Sequence, residues 1–194
     1  MLKGLPLYNL VINDNADGVY RISLVDMPAI ESDFLLFNQD PKKTYTFSND
    51  EKHVITGAAM IPNLPIYRCD ESGFEYFVQF SRETIEKSAQ LFFKNGYQGN
   101  ISVDHETNVT GVYVFESYIV DSTRGIKPTD IDLPDGSWVV SMKCENEALW
   151  DILKNTDMLH GFSIETFNTA EKLCAHAKQV AAKSWIDELL EGKI

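Results

Sequence analysis

The feature that most constrains this chain is a series of short apolar runs, each alternating or rich in β-branched and aromatic residues and each closed by a cluster of Asp, Asn, Gly or Pro. They read "LYNLVIN", "GVYRISLVD", "DFLLFN", "HVITGAAMI", "FEYFVQF", "VTGVYVFESYIV" and "SWVVSMKC". Runs this short with such punctuation make strands, so a β-rich molecule is expected. Helical spacing intrudes at "SRETIEKSAQLFFKNG", where Ser81 is placed to cap, Ile85, Ala89, Phe92 and Phe93 share a face, and Gly96 lies near the stop. A second helix fits "ENEALWDILKN" with Leu149, Ile152 and Leu153 inward, and a third fits roughly 169 to 191, with Ala177, Ala181, Trp185 and Leu189 at every fourth position. Strands dominate, with three helices set among them. The polar, turn-rich stretches 38 to 52 and 121 to 136 are expected to be flexible loops.

The chain has 194 residues, 44% of them hydrophobic, which suits one compact domain over 1–194. A net charge of −12 repels a phosphate backbone and an anionic bilayer surface, so neither nucleic acid nor membrane is an expected partner. Cys69, Cys144 and Cys174 are odd in number and show no CxxC spacing, so neither a disulfide framework nor a zinc knuckle is expected. Cys144 and Cys174 read as small core hydrophobes, and His53 and His176 as solvated polar residues. With no apolar run near the roughly 18 residues of a membrane span and no signal-peptide pattern at the start, an intracellular site of action is expected.

Two stretches bear on chemistry. "ISVDHETNVTGVYV" (101 to 114) sets His105 between Asp104 and Glu106, and "LHGFSIETF" (159 to 167) sets Ser163 in a β-like run after Gly161. A serine hydroxyl becomes a nucleophile when an imidazole takes its proton, so Ser163 as nucleophile would require a histidine such as His105. On spacing alone the pair is open, because a strand-end serine and a histidine beside a turn are commonly structural. A metal hydrolase built on His105, Asp104 and His160 is a weaker alternative: no zinc-ligand spacing is present, and neighbours on a strand point to opposite faces.

The same stretches resemble a known family. "ISVDHETNVTGVYV" resembles the histidine segment of herpesvirus assemblins and phage prohead proteases, and "LHGFSIET" resembles their nucleophile strand. "SWVVSMKCENEALWDILKN" is similar to the strand and helix between the two, and "ITGAAMIPNLPIYRCDESGFEYFVQFSRETI" to the XkdF-like branch of prohead (capsid maturation) serine proteases. The resemblance implies an α+β fold: a mostly antiparallel, barrel-like β core surrounded by helices, as in herpesvirus proteases. It implies a serine endopeptidase, without cofactor or metal, that cleaves scaffold, segments of the major capsid protein and itself during phage head maturation. The place of action would be the host cytoplasm, inside the assembling prohead; a homodimer is a further expectation, and a noncatalytic scaffold or assembly module keeping the fold is the alternative.

The resemblance makes Ser163 the nucleophile and His105 the general base. The third member departs from the pattern. In the commoner prohead proteases an acid-bearing strand follows the nucleophile, whereas here the similar segment, "RISLVDMPAI" (21 to 30), lies near the start, as if strand order were permuted, with Arg21 in the acid's place. An arginine cannot accept the imidazole's proton. Glu165, on the face of Ser163 at the two-residue period, is the expected third catalytic residue; Asp26 is the competitor and Glu116 an unranked one.

Overall fold

A computed structural model describes residues 5–13, 17–25, 45–49, 52–70, 72–128, 131–155, 159 and 161–166. Strands β1 (Leu7–Leu10), β2 (Val19–Val25), β3 (Tyr45–Asn49), β4 (Val54–Met60), β5 (Ile66–Cys69) and β6 (Glu75–Phe80) precede helix α1 (Arg82–Lys94). Strands β7 (Ile101–Val103), β8 (Thr107–Val109), β9 (Val112–Ile119) and β10 (Trp138–Cys144) follow, then helix α2 (Glu147–Asn155) and strand β11 (Gly161–Thr166).

The strands form three sheets, ordered β1-β6-β5, β3-β4-β10-β9 and β11-β2-β7-β8. Pairing is antiparallel except for β1 with β6 and β2 with β7. The α+β class and mostly antiparallel pairing stand. The barrel does not: among the described residues the strands divide among three open sheets, whose edge strands β1 and β5, β3 and β9, and β11 and β8 do not pair onward to close a ring.

The core forms where the sheets and helices meet. Strand β11 lies against β4, and α1 lies against β2 and β10. Trp138 and Phe92 meet edge to face with ring centroids 5.4 Å apart, and Ile22, Leu24, Ile55, Met142, Leu153 and Phe162 are fully buried. Edge-to-face contact suits the ring quadrupoles and adds about 0.5–1.5 kcal/mol to what burial provides.

Helix α1 follows its pattern closely. Ser81 Oγ accepts from Thr84 N at 3.2 Å, Ile85, Ala89 and Phe92 are buried, and Gly96 turns the chain out at φ 76°. Helix α2 differs on one residue: Ile152 is 37% exposed and Trp150, at 4%, takes the inward place. In so short a helix the larger ring claims the buried stripe with Leu149 and Leu153, spaced i, i+1, i+4.

The two expected loops fare differently: the first is corrected, and the described residues of the second do form a loop. Strand β3 lies inside 38–52, paired with β4. Within 121–136, Asp135 accepts from Ser122 N and Oγ at 2.9 and 2.7 Å, and Arg82 Nε donates to Asp135 O at 2.8 Å, which pins that stretch to the start of α1. His53 is half-buried, stacked on Trp150 at 4.6 Å, and not simply solvated. Cys144 is buried and Cys69 exposed. The expected strand "DFLLFN", the third helix, Asp26, His160, Cys174 and His176 lie outside the described residues.

Candidate active site

The third sheet carries the sequence's two chemical stretches on β11 and on β7 and β8, with β2 between them. Alternation along β2 sends Ile22 and Leu24 to one face and Arg21 and Ser23 to the other. Register extends the polar face sideways: Ser163 pairs with Ser23, Ser23 with Ser102, and Glu165 with Arg21. Three serines thus form one row across β11, β2 and β7, with Glu165 beside it. Ser23 and Ser102 are fully buried, while Ser163 keeps 8% exposure.

His105 reaches this face from the turn between β7 and β8. Glu106 N donates to Val103 O at 3.1 Å across the turn, and Asp104 and His105 both take positive φ, 49° and 63°. Paired positive-φ residues match the right-handed twist of a hairpin, and Asp and His tolerate that region better than most residues. Asp104 and His105 are therefore turn residues, and the strand-neighbour geometry expected of them does not apply. The turn brings His105 Nδ1 to 3.2 Å from Glu165 Oε1.

Glu165 is the hub of the face. Its Oε1 accepts from Ser23 Oγ at 2.9 Å and Ser102 Oγ at 3.0 Å, and its Oε2 accepts from Tyr20 Oη at 2.9 Å and lies 3.1 Å from Arg21 Nη1. Ser23 and Ser102 Oγ are themselves 2.5 Å apart. Two hydroxyl hydrogens serve the three sides of this oxygen triangle, and the shortest side requires one of them. At any moment, therefore, one serine donates to its neighbour and that neighbour donates to the carboxylate, and the two serines can exchange these roles. Burial opposes ionisation of Glu165, but hydrogen bonds from Tyr20, Ser23, Ser102 and His105 outweigh it and hold the carboxyl below its ordinary range. The Tyr20 phenol is pushed up by burial first, then by its bond to Glu165 and that group's charge.

The structure thus brings together His105 and Glu165, and puts Ser163 on the same sheet face two residues from Glu165. Glu116 is elsewhere, on β9, where it accepts from Ser141 Oγ at 2.5 Å. Among the described residues no three His, Cys, Asp or Glu side chains gather as a metal would need. Sequence reasoning missed Tyr20, Ser23 and Ser102, and it put Arg21 in the acid's place without foreseeing that its guanidinium pairs with Glu165. The two serines had a signal, since each is a polar residue at an alternating position of a β-rich run.

Residues 43–172 match the model of the family described as "Putative phage serine protease XkdF". The chain belongs to this XkdF-type phage prohead protease family. No curated protein and no solved structure matches the chain. The stretch shared with the XkdF family contains Ser102, His105, Ser163 and Glu165, whereas Tyr20, Arg21 and Ser23 precede it. Family membership makes peptidase chemistry the general function.

Proposed function

We propose that the chain is a serine endopeptidase in which Ser163 is the nucleophile, His105 the general base and Glu165 the carboxylate that orients the imidazole. The observation that carries this reading is the 3.2 Å approach of His105 Nδ1 to a half-buried carboxylate on the strand face of Ser163. A proton held on Nδ1 by Glu165 leaves Nε2 as the nitrogen with a lone pair for the serine hydroxyl. Ser163 Oγ then bonds to the scissile carbonyl carbon while its proton passes to His105, which returns it to the leaving amine as the C–N bond breaks. Water hydrolyses the resulting ester by the same route.

The substrates we propose are the head scaffold, segments of the major capsid protein and the chain itself, cut within the assembling prohead in the host cytoplasm. Support comes from the XkdF family match and from the resemblance of the histidine and nucleophile segments to those of prohead proteases. The test is co-expression with the scaffold encoded by the same phage, with fragments read by mass spectrometry. Ser163→Ala should fold with stability within about 1 kcal/mol of wild type and produce no fragments, since one hydroxyl adds little to stability but carries the reaction. Fragments that persist in that variant would sink the assignment.

A further inference from the structure

Tyr20 and Arg21 are neighbours on β2, so regular alternation would aim them at opposite faces. Both nevertheless reach the same oxygen, Oε2 of Glu165, at 2.9 and 3.1 Å. The pairing explains how: Glu165 pairs with Arg21 and Thr166 with Val19, so Tyr20 is the extra residue of a β-bulge. A bulge bends its strand and re-aims one side chain, at the expense of regular pairing for the extra residue. Here Asn100 Nδ2 donates to Tyr20 O at 3.0 Å, and Ile22 N donates to Asn100 O at 3.2 Å. Asn100 thus secures the backbone on both sides of Arg21. The Arg21 guanidinium carbon also sits 5.4 Å from the centroid of the Tyr20 ring, so the two donors brace each other.

We infer that the Tyr20 bulge is a positioning device: Tyr20 and Arg21 grip Glu165 Oε2 and thereby keep Oε1 turned toward His105. The terminal torsion of a glutamate is broad, so an ungripped carboxylate can rock until neither oxygen meets the imidazole squarely. With Oε2 fixed by two donors and Oε1 by the serine pair, a single orientation is available. The imidazole then meets an acceptor in one place and holds one tautomer. This inference rests on the peptidase reading for its catalytic consequence, but the state of the His105 ring can be read without catalysis.

The experiment uses the full chain, a labelled fluorophosphonate as probe and 15N spectra of the histidine rings. In the labelling step the Ser163 Oγ–P bond forms, the P–F bond breaks, fluoride leaves and the hydroxyl proton passes to His105. Tyr20→Phe and Arg21→Gln should each slow the maximal labelling rate roughly tenfold with the half-saturating probe concentration unchanged, as loss of a partner that orients a functional side chain does. Arg21→Lys, which keeps the charge, should restore part of that rate. In the same variants the His105 signals should change from one Nδ1–H tautomer to a mixture. Rates within about twofold of wild type together with an unchanged tautomer would overturn the inference. Should wild-type Ser163 resist the probe, the peptidase reading falls, and the ring spectra alone then judge the grip. Tyr20→Phe removes one oxygen atom and keeps the ring, so the comparison survives if Arg21→Gln fails to fold.

Discussion

A carboxylate that is only 12% exposed and has five polar neighbours, Tyr20, Arg21, Ser23, Ser102 and His105, is specified in both charge and direction. Each donor prefers the ionised form, so replacing Glu165 with its neutral isostere removes both the charge and the fixed acceptor. Glu165→Gln should lower fluorophosphonate labelling of Ser163 by roughly a hundredfold or more without abolishing it, because loss of the orienting group leaves the nucleophile and base in place. A rate equal to wild type would remove Glu165 from the machinery. The same carboxyl makes a pH prediction. Its folded pKa is depressed, so its contribution to stability is fully present above the unfolded value of about 4.3 and is lost as pH falls through the folded value. Urea midpoints measured downward from pH 6 should therefore fall less steeply below about pH 4.5 in Glu165→Gln than in wild type.

At the scale of elements, the β7–β8 turn determines where His105 stands. Asp104 at φ 49° tolerates glycine, whereas a β-branched side chain clashes with its own backbone there. Asp104→Val should be less stable than Asp104→Gly by about 1–2 kcal/mol, and should label more slowly because the strained turn displaces the imidazole. Both variants lack the carboxylate, so its other interactions cancel; equal urea midpoints would show the turn to be adaptable. Legibility in the sequence follows the range of the signal. Helix α1 was readable because its cap, apolar stripe and glycine stop are all local. The shared strand face of Ser163 and Glu165 was readable because the two-residue period is local to β11. The Arg21–Glu165 pair, the serine row and the Tyr20 bulge were not, since each depends on which distant strands pair and in what register. Strand β5 escaped notice for another reason: "IYRC" is short, with Ile66 and Tyr67 only half-buried and Arg68 and Cys69 exposed, so burial does not mark it.

At the scale of the whole molecule, the boundary of the shared family stretch and the boundary of the site do not coincide. Strand β2 precedes residue 43, yet it lies between β11 and β7, pairing with the first antiparallel and the second parallel. Without it the strand of Ser163 has no described partner within its sheet, the fully buried Ile22 and Leu24 leave the core, and Glu165 loses Tyr20, Arg21 and Ser23. Deleting two buried branched aliphatic side chains alone forfeits roughly 4–10 kcal/mol, comparable with the 5–15 kcal/mol by which a domain is stable. A fragment limited to residues 43–172 should therefore show no cooperative unfolding and no labelling of Ser163. Supplying residues 5–25 as a separate peptide should restore some of both, since a missing strand can be added back through its backbone hydrogen bonds and its apolar face. The complementing peptide should fail when it carries Ile22→Asp, which places an unpaired charge in the core, and should restore cooperative unfolding but slower labelling when it carries Arg21→Gln. A fragment that unfolds cooperatively and labels at the full rate by itself would show that β2 is dispensable, and that the site is assembled from the shared stretch alone.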